Sequence, residues 1–113
     1  MTIFTLEPIT IAAGDTIALS FEFVNDNGTI PDFSDYEAHY VLSPFGFEDT
    51  NVLSLDMTLE SNTTNKFSVT LESEDSIALE EGAYTAKVIL SDGSNYFKKA
   101  RGTFNILKDS AGV

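Results

Sequence analysis

Residues able to do acid–base or nucleophilic chemistry are sparse in this chain. It holds one histidine, His39, and no cysteine. His39 lies between Ala38 and Tyr40; if those two face a core, the pleat of a strand turns His39 outward. No nucleophile-elbow pattern accompanies it to support a Ser–His–carboxylate set. The lack of cysteine excludes disulfides, thiolate zinc sites and a cysteine nucleophile. One imidazole alone also falls short of the donor set that zinc usually takes. Carboxylates are plentiful, but Glu48–Asp49, Glu74–Asp75 and Glu80–Glu81 are neighbours in sequence, whereas a general acid–base pair is a spatial arrangement. They read as solvated loop charges. Asn25-Asp26-Asn27-Gly28, with Asp32 and Asp35 beyond, has the composition of a cation loop. The EF-hand register fails there, because it would put Phe23 at the first ligand position and supply no closing Glu. Asn27-Gly28 is better explained as a turn that needs positive φ. The expectation is therefore a binding or structural module rather than an enzyme, with no catalytic, cofactor-binding or metal-ligating residues.

Two features carry contact chemistry instead. Pro44-Phe45-Gly46-Phe47 places two aromatic rings in a loop between strands. They either fold over the open end of a sandwich or offer an apolar contact to a partner. Lys98, Lys99 and Arg101 form a basic stripe on a strand that also carries Phe97; the stripe either guards a sheet edge or meets an acidic partner. Phe45, Phe47, Phe97, Lys98, Lys99 and Arg101 are thus the candidate interface residues. The charge distribution sharpens this reading. The net charge is −12, and no Lys or Arg precedes Lys66. Such a surface repels phosphate backbones and anionic membranes, so neither nucleic acid nor membrane is an expected partner. An acidic half and a basic strand on one molecule suit head-to-tail or ring assembly.

The elements that must position these residues are strands. Apolar and polar residues alternate through Ile17, Leu19, Phe21 and Phe23; through Leu53, Leu55, Met57 and Leu59; and through Phe67, Val69 and Leu71. The same period recurs at Tyr84, Ala86, Val88 and Leu90, and at Tyr96, Ala100, Gly102, Phe104 and Ile106. Weaker runs cover Ile3–Ile11, broken by Pro8, and Tyr36–Ser43. Turn signals at Ala13-Gly14-Asp15, Asn25 to Gly28 and Asp92-Gly93 separate them. About seven short strands, each with one wet face, predict an all-β, immunoglobulin-like two-sheet antiparallel sandwich. Pro8, which cannot donate to a ladder, fits an edge strand that switches sheets. The run at 73–79 predicts one helical turn opening on Ser73, Glu74 and Asp75, without a capping box, because Ser76 is not Glu or Gln. Gly82 followed by Tyr84 at a strand entry resembles a tyrosine corner, with the hydroxyl bonded back near Ile77 to Glu80. The predicted core holds Leu19, Phe21, Tyr40, Leu55, Phe67, Val69, Tyr84, Ala86, Val88 and Phe104. Residues 1–108 are read as one domain and 109–113 as a tail.

Taken in order, Gly14-Asp15-Thr16 before Ile17-x-Leu19-x-Phe21, then Pro31-x-Phe33-x-x-Tyr36, Leu79-x-x-Gly82-x-Tyr84 and Gly102-x-Phe104-x-Ile106 resemble the Ig-like modules of tailed-bacteriophage virion proteins. They are most similar to the N-terminal domain of phage baseplate upper proteins. The resemblance implies a virion structural or accessory protein: a capsid decoration, neck, tail or baseplate component acting through protein–protein contacts. With no receptor-binding region after residue 113, an accessory role is expected rather than attachment. The partners implied are other virion proteins, repeated in a symmetric assembly. The absence of a charged-then-apolar leader after Met1 predicts synthesis in the host cytoplasm and location in the virion. The competing reading is a glycan- or receptor-binding module that uses exposed aromatics for cell-surface attachment.

Overall fold

Alternation becomes strands wherever one face can be buried. The computed structural model describes residues 4–5, 8–25, 27–47 and 50–107, with only the backbone at 4–5 and 97–99. Its strands are β1 (Phe4–Thr5), β2 (Ile9–Ala12), β3 (Ile17–Glu22), β4 (Glu37–Pro44), β5 (Leu53–Leu59), β6 (Lys66–Leu71), β7 (Gly82–Ser91) and β8 (Tyr96–Leu107). A short helix, α1 (Ser73–Ile77), joins β6 to β7. The strand order is β1-β8-β7-β4-β5-β6-β3, with β2 also on β8. One layer holds β1, β2, β8, β7, β4 and the first part of β5; the other holds β3, β6 and the end of β5. The strand β5 belongs to both, pairing with β4 over Leu53 to Met57 and with β6 at Thr58 and Leu59. All described pairs are antiparallel except β1 and β2, which run parallel to β8. The result is an immunoglobulin-like sandwich.

The core lies between the layers. Tyr40, Phe23, Phe67, Phe104, Leu42, Leu71, Leu90, Ile106 and Val88 are fully buried. Tyr40 is its centre: its ring stacks on Phe21 at 5.7 Å and meets Phe104 edge-on at 6.4 Å. Offset and edge-on packing suits the ring quadrupoles. Of the predicted core, Leu19, Tyr40, Phe67, Tyr84, Ala86, Val88 and Phe104 are buried. Phe21, Leu55 and Val69 are half-buried and pack against that core. They sit on β3 and at the place where β5 leaves β6, and no layer closes fully over them.

Four local expectations are corrected. Pro8 does not mark a sheet switch, because the strands on either side of it both pair with β8. The alternation in β8 is broken by a register shift opposite Val88 and Ile89, so Ala100 faces Val88 while Lys98 faces Ile89. Tyr96, which unbroken alternation groups with Phe104, is accordingly 78% exposed. The N-cap of α1 is Glu72, one residue before the predicted start, and the Asp75 carboxylate accepts its backbone N–H at 3.1 Å. That is half of a capping box in a shifted frame, which the Glu/Gln rule at Ser76 could not find. Finally, the expected wet face of β7 is not uniformly wet. Thr85, Lys87 and Ser91 are buried, since β7 is central and has cross-strand neighbours from β4 and β8 on both sides.

Candidate interaction surface

Antiparallel register brings the β2–β3 turn, the β4–β5 loop, α1 and the end of β8 to one end of the sandwich. Two local devices hold that end. Tyr84 enters β7 and donates its hydroxyl to the Glu80 carbonyl at 2.5 Å, which is the predicted tyrosine corner. Burial and the nearby Glu80 carboxylate both raise the pKa of this phenol. Ser76, fully buried in α1, accepts from the Gly14 N–H and donates to the Asp15 carbonyl, both at 2.8 Å. Gly14 has φ +94° there, a conformation that costs an L-residue about 1–2 kcal/mol. The Gly-Asp-Thr landmark is thus the turn that α1 clasps.

On this braced end the β4–β5 loop presents Phe45 and Phe47, which are 66% and 69% exposed. The rings do not fold over the end of the sandwich. The loop is fixed by backbone bonds from Phe45 N–H to the Ala83 carbonyl at 3.1 Å and from Phe47 N–H to the Pro44 carbonyl at 2.9 Å. Ser43 donates to the Asn51 side chain across the loop base at 3.0 Å. Val52, Ile77 and Leu107, none of them singled out by sequence, are exposed at the same end. A recess of about 290 Å³ runs between Pro44 and Val52 on one side and Leu79 to Tyr84 on the other. Exposed carboxylates surround this apolar group: Asp15, Glu72, Glu74, Glu80 and Glu81. The surface can bury aromatic rings against a partner, and its rim favours a partner bearing positive charge.

The predicted basic stripe lies elsewhere. Arg101 is exposed in the middle of β8, in register with Lys87. The side chains of Phe97, Lys98 and Lys99 fall outside the described residues; their backbone belongs to β8, with Phe97 opposite Leu90 and Lys98 opposite Ile89. The aromatic loop abuts Ala83 at the start of β7, whereas Arg101 lies opposite Lys87 and Lys98 opposite Ile89, a separation of roughly 13–20 Å at strand rise. The fold therefore does not merge the two sets of candidates.

The polar motifs resolve as local structure. His39 Nδ1 lies 2.9 Å from the Asp56 carboxylate, its cross-strand neighbour. The shallow recess they line is completed by Tyr36, Glu37, Ala38 and Met57, and no serine lines it. Gly28 has φ +85°, and Asn27 Oδ1 accepts from the Thr29 N–H and hydroxyl. Asp32 accepts both the N–H and the hydroxyl of Ser34, and these bonds lower its pKa. Among the described residues no three metal-ligating side chains converge, and no helix is long and apolar enough to cross a membrane.

No family model and no curated protein matches the sequence. Solved structures match the fold in 23 chains, a phage domain and an immune receptor among them. The N-terminal domain of phage TP901-1 ORF48 is 11% identical, with a TM-score of 0.56 over 94% of this chain and 95% of that one. The natural-cytotoxicity receptor NKp44 is 14% identical, with a TM-score of 0.41 over 95% of this chain and all of the receptor's. At such identity the likeness is one of fold: this chain shares the sandwich of a phage protein's N-terminal domain along nearly the whole length of both.

Proposed function

We propose that the chain is a non-enzymatic structural or accessory component of a tailed-phage virion, placed in the capsid surface, neck, tail or baseplate, and that it works through protein–protein contacts. The observation that carries this reading is the end-to-end fold likeness to a phage N-terminal domain. Supporting it, the landmarks that resemble baseplate upper proteins occupy structural positions. Gly14-Asp15-Thr16 is the turn held by Ser76, and Leu79-x-x-Gly82-x-Tyr84 is the tyrosine corner. The apolar end bearing Phe45 and Phe47 is the contact surface we assign, and other virion proteins are its partners.

The test is to purify particles of the source phage through a density gradient and to look for the chain in them by mass spectrometry and antibody labelling in the electron microscope. The reading expects a fixed copy number and labels at symmetry-related positions. Phe45→Ser with Phe47→Ser should lower incorporation while leaving the melting temperature of the free protein in place. Absence from washed particles would refute the proposal. Saturable binding of defined polysaccharides, abolished by the same pair of substitutions, would replace it with a glycan-binding role.

A further inference from the structure

One edge of the sandwich is built as an open ladder. Among the described residues β3 pairs only with β6, and no described strand lies against its other edge. The Phe23 N–H donates to the Asn65 carbonyl at 3.0 Å, in line with Phe21↔Phe67, Leu19↔Val69 and Ile17↔Leu71. Hydrogen-bonded and non-bonded pairs alternate along an antiparallel ladder. Ile17, Leu19 and Phe21 therefore bond to β6, while Ala18, Ser20 and Glu22 direct their N–H and C=O groups at the open edge. Proteins usually guard such an edge with Lys, Pro or a bulge. The strand β3 has none of these; its register with β6 is continuous from Ile17 to Glu22, and its one charge, Glu22, sits at the end, 3.6 Å from Lys66. The side chains of Ala18, Ser20, Ser68 and Thr70 line a shallow depression beside the edge. They are small, and the Glu60 carboxylate reaches over them to accept from the Ser20 hydroxyl.

We infer that this edge pairs with the same edge of a second copy, joining two β3 strands antiparallel about a two-fold axis through Ser20. The strand is self-complementary in that register alone in three respects. All three free donor–acceptor residues are used on both strands: Ser20 meets Ser20, and Ala18 meets Glu22 twice. Residues directly opposite share a face, so Leu19 meets Phe21 on the core side. An axis falling between two residues would set core-facing side chains against solvent-facing ones, which the pleat forbids. Lastly, Glu22 meets Ala18 and not a second Glu22, while the Glu60 carboxylate, which accepts from the Ser20 hydroxyl, comes near the axis from both copies and adds to the repulsion that salt must screen. The half-buried Ile17 and Phe21 gain cover, and β5, β6 and β3 of each copy become one continuous layer. An isologous contact of this kind closes at two copies. The inference stands on β3 alone and does not rest on the virion reading.

Because the chain lacks cysteine, a single thiol reports the register. In the inferred dimer the two Ser20 Cα atoms lie about 5.5 Å apart, within disulfide range. Under mild oxidation or with a short bismaleimide, full-length Ser20→Cys should become mostly a cross-linked dimer, whereas Ser94→Cys in the β7–β8 turn should stay monomeric. Sedimentation equilibrium gives a second measure. Ala18 is exposed, so it can be replaced without touching the core. Ala18→Lys faces Glu22 of the second copy at two places and should tighten the dimer, while Ala18→Glu should loosen it, each by about 2- to 30-fold at the worth of cross-strand charge pairs. Each copy carries a net charge of −12, so wild-type association should strengthen as salt screens their repulsion, up to about 0.5 M. The inference is overturned by any of three results. One is a monomer at high protein concentration and high salt. Another is Ser20→Cys cross-linking no better than Ser94→Cys. The third is a dimer that responds alike, or not at all, to Ala18→Lys and Ala18→Glu.

Discussion

Tyr40 offers the sharpest test of the core. Its side chain is fully buried and its hydroxyl has no hydrogen-bond partner among the described residues. The ring is held by Phe21 at 5.7 Å and Phe104 at 6.4 Å. A buried, unsatisfied polar group costs about 1–3 kcal/mol. Tyr40→Phe keeps both ring contacts and removes that group. It gives up only the dispersion contacts of one oxygen, a few tenths of a kcal/mol at roughly 0.1–0.2 per atom pair. The expected result is a gain of about 1–2 kcal/mol, read as a higher urea midpoint with an unchanged slope. In a thermal scan this corresponds to a rise of about 3–6 °C for each kcal/mol. There is also a pH signature. Burial raises the Tyr40 pKa above its usual 10.0. A group whose folded pKa is raised contributes stability that is fully present below the unfolded pKa and is lost as pH climbs through the folded one. Wild type should therefore lose stability above pH 10.0, and Tyr40→Phe should flatten that decline. A loss of about 1 kcal/mol or more in the variant would refute the reasoning, since it would mean that the hydroxyl makes a net favourable bond, such as one to a buried water.

Tyr84→Phe carries the opposite sign: it deletes the bond to the Glu80 carbonyl and should lower stability by about 1 kcal/mol in the same urea titration. Ser76→Ala strands the Gly14 N–H and the Asp15 carbonyl together; a loss of about 1–3 kcal/mol is expected, with faster amide exchange at Gly14 as the local readout. Phe67→Ala, at a fully buried site, should cost about 3–5 kcal/mol, whereas half-buried Phe21 should cost less, about 2 kcal/mol from its smaller buried area; equal losses would mean that β3 is covered more fully than the fold indicates. Hydrogen bonds hold the pKa values of Asp32 and Asp92 below 3.8 in the folded chain, so their contribution is present above that value and fades as pH falls through the folded pKa; Asp32→Asn and Asp92→Asn should each reduce the acid-side slope of stability against pH.

Much of the fold was legible because a strand writes its burial into every second residue. Leu19, Phe67, Ala86, Val88 and Phe104 announced themselves by phase, and Gly82 with Tyr84 announced the corner. The absence of cysteine and the lone His39 also narrowed the chemistry before any coordinates. Other features depend on which strands become neighbours, and local pattern does not carry that. The shift opposite Val88 and Ile89 belongs to the β7–β8 pairing, so the alternation around Tyr96 misled. Thr85 and Lys87 look solvent-facing by period and are buried because β7 is central. The cap at Glu72 rests on a carboxylate three residues on, and a rule limited to one frame passed over it. Phe45 and Phe47 were visible as a motif, but their exposure was settled by the backbone bonds that pin the loop to Ala83 and Pro44. The open edge of β3 was the least visible. Its residues form an ordinary alternating strand, and whether a strand has a second neighbour is decided by the path of the rest of the chain. Sequence alone determined the period, the turns and the available chemistry, since these follow from side-chain type and short-range geometry. Tertiary structure decided which faces and edges stay open, because that depends on contacts between residues far apart in the chain.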